Sequence, residues 1–379
     1  IMGSIAFFYY SSFIATHHTT VGGVIGLPPA VDARRLIGPD WARFETHARN
    51  VQLRADLALS QDWALTLEAG HAETRRERNL PIFRFDSAAS VATGAGRIAG
   101  NSQFADVDSD MLRAELAGRF ATGALTHDLT LGASGTDKGQ APVYQSSYTI
   151  PIQNLYDPVP IRNASFGAVP TQPTSAALSS RDKGLYLVDR IQLGRWQLIG
   201  GVRRVDYRSS QGANRYDVSE TTPLAAVVWR ARDDFSLYAS MAEGLEDGEA
   251  APTGSANEGT RLAPGVSKQK EVGARWKSGA GFLTQLALFD IDRPGYYTNA
   301  ANVFTADGEQ RYRGVELSAQ GRLTRRLSWQ GAAQALDPEF RDIGAAYDGK
   351  LPENAARRTA SSFLAYDLDA VPGLSLTLG

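Results

Sequence analysis

The chain has 379 residues, of which 43% are hydrophobic and 21% are charged, and its formal net charge is -2. This near-neutral charge argues against a nucleic acid as the partner. The lack of cysteine excludes disulfides, thiol catalysis and cysteine metal sites. Residues 1–20 hold an apolar stretch that is too short for a transmembrane helix, and no Lys or Arg precedes it. We therefore interpret it as a strand or a stray segment rather than a signal peptide.

From residue 45 onward, apolar and polar residues alternate with the period of two that is typical of β-strands. The first such strand places Arg54 and Asp56 between Leu53, Ala55 and Leu57. Similar alternation follows at residues 63–70, 112–120 and 125–131. Large charged side chains line one face of whole strands, and Leu, Trp, Phe and Ala line the other. This pattern favours a membrane barrel, with lipid outside and water or a plug inside.

The connections between these strands alternate between short and long. Short turns follow the strands near residues 60–62, 121–123, 194–195, 232–233, 278–280, 323–325 and 369–372. Long gaps separate the others at residues 76–108, 137–182, 209–220, 244–267, 294–308 and 339–355. Tight periplasmic turns and long extracellular loops alternate in this way in outer-membrane barrels. We count about 14 strands, each near the roughly 10 residues that a tilted spanning strand needs.

Two further features bear on the membrane interpretation. Aromatic residues stand beside the short turns and predict an interfacial girdle: Trp63, Trp196, Phe235, Phe282 and Trp329. Asp189 falls on the otherwise apolar face of its strand, where a carboxylate is costly near the bilayer midplane and tolerated near an interface.

Several segments, in order along the chain, resemble TonB-dependent siderophore receptors of the ferrichrome and coprogen kind. They are GGVRRVDY at residues 200–207, FSLYASMAEGL at 235–245, SKQKEVG at 267–273 and GEQRYRGVEL at 308–317. The resemblance extends over roughly residues 20 to 379. It implies an all-β fold, an antiparallel transmembrane β-barrel of about 22 strands with a plug in its lumen.

Measured against that family, the chain is expected to be a partial barrel that lacks the plug domain. Residues 1–20 are an uncertain N-terminal segment, and residues 21–379 form part of the barrel. The chain ends at Gly379, inside the strand at residues 374–378 and without the terminal aromatic residue of such barrels. We therefore expect an incomplete receptor.

The resemblance implies binding and transport rather than catalysis. A ferric siderophore is the transported ligand, and no cofactor is expected. The implied partners are the TonB complex, reached through an N-terminal region that this sequence lacks, and the lipid and lipopolysaccharide of the outer membrane of a Gram-negative bacterium. The protein is expected to act as a monomer.

Ligand contacts are expected on the long loops and the upper lumen, because aromatic rings stack on planar groups and Arg or Tyr side chains bond oxygens. Arg311 and Arg313 are expected to point into the lumen. The candidates are Trp41, Tyr144, Tyr148, Tyr156, Tyr296, Tyr297, Phe304, Arg311 and Arg313.

Other interpretations stay open from the sequence. A passive porin shares the alternation but has fewer strands, about 16 to 18. A receptor for cobalamin or another nutrient fits the same motifs. A barrel enzyme needs a nucleophile or base at its rim, and a soluble carbohydrate-binding β-protein turns its charged face outward. No catalytic motif stands out, and the histidines, including His17 and His18, are too scattered to predict a metal site.

Overall fold

The computed structural model describes residues 36–379, apart from residues 88, 170, 253, 280, 346, 353, 354 and 372. The predictions for residues 1–20, including His17 and His18, lie outside the described residues. So does the early part of the predicted barrel, residues 21–35.

The described residues form 15 β-strands, one short helix and one turn of 3-10 helix. The strands are β1 (Phe44–Ala58), β2 (Trp63–Phe85), β3 (Ala95–Thr122), β4 (Leu125–Gln140), β5 (Tyr144–Asn154), β6 (Leu178–Leu193), β7 (Trp196–Gln211), β8 (Asn214–Arg232), β9 (Phe235–Glu246), β10 (Gly265–Lys277), β11 (Leu283–Thr298), β12 (Phe304–Arg322), β13 (Leu327–Arg341), β14 (Arg358–Asp367) and β15 (Ser375–Leu378). Helix α1 spans Ser90–Thr93, and the 3-10 turn spans Ala164–Gly167.

All strands belong to one antiparallel sheet in which neighbours along the chain pair with each other. Only β5 departs from that order. It pairs with the upper part of β3, while β4 pairs with the lower part of β3 and then with β6. Among the described residues, β1 and β15 are the edges of the sheet. The predicted all-β antiparallel class is confirmed, and the count of about 14 strands missed β5.

The register gives the sheet two chemically different faces, because residues paired across strands share a face. One row is made only of leucine: Leu57 pairs with Leu65, Leu65 with Leu116, and Leu116 with Leu131. A neighbouring row on the opposite side pairs Arg54 with Glu68, and Glu68 with Arg113. We call the leucine side the outer face and the charged side the lumen face.

Aromatic residues lie on the outer face at the end of the sheet that carries the short turns. Trp196 stacks on Trp229 with ring centroids 5.8 Å apart, and Phe282 lies 6.2 Å from Trp329. Trp63 covers Gly118 of β3, where a Cβ atom would lie 2.3 Å from the indole ring. The structure thus confirms the predicted placement of the girdle, which marks the periplasmic interface.

At the opposite end of the same face, the apolar rows give way to charged pairs. His71 lies 2.8 Å from Asp110, Arg208 lies 2.9 Å from Asp217, and Arg181 pairs with Asp137. These residues lie on the same face as the leucines. They stand two or more positions closer to the end of each strand that is opposite to the short turns. The change from leucine to ion pairs marks the upper limit of the lipid-facing band.

Asp189 lies on the outer face, as its position in the alternation predicted. Its Oδ2 atom is 2.8 Å from Nδ1 of His127, and the imidazole stacks on Phe120 with centroids 4.7 Å apart. Both residues lie a few positions from the short turns. The carboxylate is therefore paired and close to the periplasmic interface, where its cost is small.

Several predicted long gaps contain strand rather than loop. Strands β2 and β3 have 23 and 28 residues and pair without interruption up to Phe85 and Gly96. The gap at residues 209–220 is a hairpin that turns at Gly212, whose φ is 59°. Polar residues on both faces hid these extensions, because alternation stops once neither face contacts lipid. No helix of the described residues is long and apolar enough to cross a membrane.

The leucine row gives a depth-dependent prediction. Replacing Leu116 by Arg is expected to lower the free energy of unfolding in lipid by about 2–4 kcal/mol, because it places a charge near the bilayer midplane. The matched change Leu112→Arg, on the same face but next to the charged pairs, is expected to cost about 0–1 kcal/mol. Denaturant titration of both variants in vesicles measures the difference. Equal costs would contradict the assigned depth.

Candidate functional site

The lumen face carries a network of ion pairs that spans three strands. Glu68, which is 8% exposed, accepts hydrogen bonds from Arg54 at 2.8 Å and from Arg113 at 2.9 Å. Arg54 also pairs with Asp56 of its own strand at 2.8 Å. Such alternation of opposite charges stabilises a polar wall without leaving an isolated charge on it.

Tyrosines extend this wall over glycines of the neighbouring strand. The ring of Tyr186 covers Gly132, where an added Cβ atom would lie 2.1 Å from it, and its hydroxyl donates to Glu115 at 2.8 Å. Tyr238 covers Gly273 in the same way and donates to Glu271 at 2.5 Å. The glycines make room for rings that lie flat on the wall, so the lumen face is smooth and polar.

Two long connections at the upper rim pack against each other into a platform. Asn257 donates from Nδ2 to the backbone oxygen of Phe304 at 2.9 Å and accepts from its backbone N–H at 2.8 Å. Asn302, in the left-handed region with φ of 59°, donates to the backbone oxygen of Gly254 at 2.8 Å. Tyr296 stacks on Phe304 with centroids 6.1 Å apart. We call residues 247–264 and 296–305 the rim platform.

The structure brings three predicted residues together in the rim platform. Tyr296 and Phe304 form the stacked pair, and Tyr297 pairs with Thr305 beside it. Burial raises the pKa of Tyr296, and the carboxylates of Glu249 and Glu246 raise it further. The acidic residues Glu246 and Glu249 therefore lie close enough to the aromatic pair to act on the Tyr296 hydroxyl. The phenol stays protonated and serves as a hydrogen-bond donor.

Trp41 and Tyr148 also come together, but on the outer side of the upper hairpins. Their ring centroids are 5.6 Å apart, and they pack with Ile98, Ile150 and Ile161 in a small buried core. This core joins β3 and β5 to the segments at residues 36–42 and 155–168. Strand alternation puts Tyr148 on the face opposite to Ser147. Both aromatic residues therefore hold the loops together on that side.

Tyr144 and Tyr156 have different surroundings from each other. Tyr144 lies 6.4 Å from Phe104 on the outer face, and the guanidinium of Arg75 covers Phe104 at 5.4 Å. The Tyr156 hydroxyl donates to the backbone oxygen of Val91, and its ring fills the space beside Gly94. As ligand contacts, Trp41, Tyr144, Tyr148 and Tyr156 stay predictions. The contacts seen here stabilise the loops.

The expectation that Arg311 and Arg313 face the lumen is wrong. Both have the same parity along β12 as Val315 and Leu317, and the pairing of β12 with β11 has no bulge between these residues. They therefore share the outer face with the leucines. Arg311 pairs with Asp290 and lies 3.5 Å from Asp292, and Arg313 lies 3.3 Å from Asp290. They belong to the charged rows above the lipid-facing band.

Within the described residues, no group of three or more His, Cys, Asp or Glu side chains is arranged to hold a metal ion. The close His127–Asp189 pair lies on the outer face near the short turns, away from the rim where a barrel enzyme would act. The geometry at the rim is suited to binding.

Sequence reasoning missed the lumen-face residues of the upper hairpins, above all Arg76 and Arg78. They lie within a stretch interpreted as loop, so no face was assigned to them. No apolar–polar alternation marks this stretch, since Arg75, Arg76, Glu77 and Arg78 are all charged, so only the strand pairing assigns their faces. Arg76 pairs across the strands with Thr46 and Ala105, and Arg78 with Phe44 and Gln103.

One sheet with a leucine outer face, a charged lumen face and folded loops at one rim defines the wall of an outer-membrane β-barrel. The family model for the TonB dependent receptor-like β-barrel matches residues 6–379, and the chain belongs to that family. It is therefore an outer-membrane protein of a Gram-negative bacterium.

Relatives along most of the chain are siderophore receptors. The ferrichrome receptor FcuA of Yersinia enterocolitica is 26% identical over an alignment that covers 95% of this chain and 50% of that receptor. The ferrioxamine B receptor of Salmonella typhimurium is 27% identical over 70% of this chain and 38% of its own length. The chain thus spans about half or less of the length of these relatives.

Solved structures agree with the fold. The ferric preacinetobactin receptor BauA of Acinetobacter baumannii superposes with a TM-score of 0.78 at 26% identity, covering 93% of this chain and 54% of that one. The ferric-catecholate import receptor Fiu of Escherichia coli gives 0.75 at 17% identity, covering 92% and 55%. The second likeness shows the fold alone.

The rim platform generates a prediction about local stability. Asn257→Ala removes two hydrogen bonds worth about 1 kcal/mol each, so amide protection in residues 247–264 and 299–305 is expected to fall about 10- to 100-fold. Hydrogen exchange followed by mass spectrometry measures it. Asn163→Ala, which removes the cap of the 3-10 turn, is the matched control and is expected to loosen only residues 155–169. Unchanged hydrogen exchange in the rim platform would contradict the role of Asn257 in holding its two connections together.

Proposed function

We propose that this chain forms the barrel wall and the extracellular binding loops of a receptor that takes up ferric siderophores in a TonB-dependent manner. A docked ferric siderophore would rest on the rim loops and the upper lumen face. A plug and a TonB-contacting segment are proposed to act together with this sheet. Energy delivered through TonB would move the plug and admit the ligand.

The observation that carries this proposal is that siderophore receptors are the relatives along 95% and 70% of the chain. The ordered rim formed by the long connections supports it. The clamp of Asn257 on Phe304 orders the rim platform around the stacked pair of Tyr296 and Phe304. Preformed concave surfaces with a few fixed polar groups are the usual form of ligand sites. The ion-paired wall below supports a polar passage.

Tyr296, Tyr297 and Phe304 of the rim platform are the proposed aromatic residues of the ligand site. Tyr296 and Tyr297 are proposed as the contacts, and the buried Phe304 supports the ring of Tyr296. Stacking of an aromatic ring on a planar ligand group contributes about 0.5–1.5 kcal/mol beyond the area that it buries. The Tyr296 hydroxyl lies 3.5 Å from the backbone oxygen of Asp247, which helps to orient its ring.

The test expresses the complete reading frame that encodes this chain in an iron-starved host lacking its own siderophore receptors. Uptake of radiolabelled ferric siderophores of several chemical classes is then measured with and without TonB. Saturable uptake that requires TonB is expected. Uptake that is linear in ligand concentration and independent of TonB would identify a passive porin, and saturable uptake of cobalamin in place of iron would identify another nutrient receptor.

The same assay tests the platform. Tyr297→Ala is expected to raise the half-saturating ligand concentration about 2- to 10-fold, because it removes a stacking surface. Tyr297→Phe keeps the ring and is expected to change it less than 2-fold. Equal effects of both variants would show that the hydroxyl, not the ring, matters at this position.

A further inference from the structure

The upper part of β2 projects beyond the lipid-facing band. The strand has 23 residues, more than twice the roughly 10 that a tilted spanning strand needs. Its pairing with β3 has no bulge from Trp63 to Phe85, so alternate residues stay on one face throughout. Arg76 and Arg78 therefore share the lumen face with Glu68, above the level at which the outer face becomes charged.

The cross-strand neighbours of these two arginines are uncharged. Thr46 and Ala105 flank Arg76, and Phe44 and Gln103 flank Arg78. One strand further, Gln145 pairs with Gln103. Within the described part of the chain, neither guanidinium has a carboxylate at ion-pair distance. We call Phe44, Thr46, Arg76, Arg78, Asn101, Gln103 and Gln145 the basic wall.

Two nearby arginines outside the basic wall, Arg75 and Arg97, have carboxylate partners. Arg75, on the opposite face of the same strand, lies 3.1 Å from Asp106, and Arg97 lies 2.9 Å from Asp86. Burial lowers the pKa of Arg78, and the nearby charge of Arg76 lowers it further. Two like charges side by side without a counter-ion repel each other, so Arg76 and Arg78 destabilise the folded protein.

Hydrogen-bonding capacity in the basic wall is also unfilled. Arg78 Nε, Asn101 Oδ1 and Gln103 Oε1 are buried atoms without a partner. Gln103 donates through Nε2 to Gln145 at 2.9 Å, which fixes the orientation of both amides. Buried unsatisfied polar atoms are rare in native proteins and indicate a missing ligand or water. Of these atoms, Arg78 Nε is the donor that an anion could use, whereas the two amide oxygens are acceptors and would bond a water or a hydroxyl group.

We propose that the basic wall is an anion-binding subsite, and that the ligand of this receptor is a negatively charged ferric complex with catecholate or carboxylate oxygens. Guanidinium groups bind such oxygens through charge-assisted and often bidentate hydrogen bonds. Phe44, beside Arg78, offers an apolar ring for an aromatic chelating group. A neutral or cationic hydroxamate complex would leave both arginines unpaired.

This inference rests on the proposed function and deepens it. The site lies on the lumen face, above the level at which the outer face becomes charged. Its excess positive charge also steers anions from solution, and this attraction is weakened by salt.

The experiment compares two probes in cells expressing the complete reading frame: a trianionic ferric tris-catecholate and a neutral ferric tris-hydroxamate. The double change Arg76→Gln and Arg78→Gln is expected to raise the half-saturating concentration of the anionic probe about 10- to 100-fold, with the maximal rate unchanged. Replacing both residues by Lys should restore most of the affinity. Arg75→Gln, on the opposite face of the strand, is the matched control and should change it less than 2-fold.

Each outcome decides the inference. Wild-type uptake of the neutral probe alone would overturn the anionic ligand and leave the receptor function standing. An equal loss of both probes in the double variant would mean that the arginines pair with another protein segment, which also overturns it. No saturable uptake of any ferric complex would instead reject the proposed function. If the glutamine variant fails to assemble, binding of the anionic probe to wild-type membranes must still weaken with rising salt.

Discussion

In a bilayer, each backbone N–H and C=O group of a spanning segment needs a partner from the protein, because the hydrocarbon offers none. The ladders that join β1 to β15 supply these partners, and the rest of the structure depends on them. Once the ladders fix the register, each row of side chains is committed to one face. The leucine row of Leu57, Leu65, Leu116 and Leu131 and the charged row of Arg54, Glu68 and Arg113 follow from it. A slip of one residue would exchange the two.

Above the lipid this constraint is relaxed, and the chain forms additional structure there. Strands β2 and β3 continue as a hairpin, β5 joins them, and Trp41, Ile98 and Tyr148 make a small core on one side. The other side of the same hairpin stays open to the lumen. Long strands therefore position the ligand-facing residues more rigidly than loops would.

The distribution of ion pairs separates structural charges from available ones. Glu68 is held between two arginines, and Arg311 lies against Asp290 and Asp292 on the outer face. Arg76 and Arg78, in contrast, face an uncharged surrounding. Arg76 and Arg78 are the lumen-face guanidinium groups that we propose as the contacts of an anionic ligand.

The sequence by itself determined the β-class, the two faces, the girdle and the order of short and long connections, because alternation and turn residues are local properties of the chain. It also carried the family motifs. Only the tertiary structure decided where the strands end above the lipid and that β5 joins the sheet. It also decided which of the predicted ligand-contact residues lie next to each other. The outward position of Arg311 and Arg313 already follows from the alternation that they share with Val315 and Leu317. The pairing of Tyr296 with Phe304 and the unpaired state of Arg76 and Arg78, in contrast, depend on contacts between distant strands. Local pattern cannot specify such contacts, since they arise only when register brings separate segments side by side.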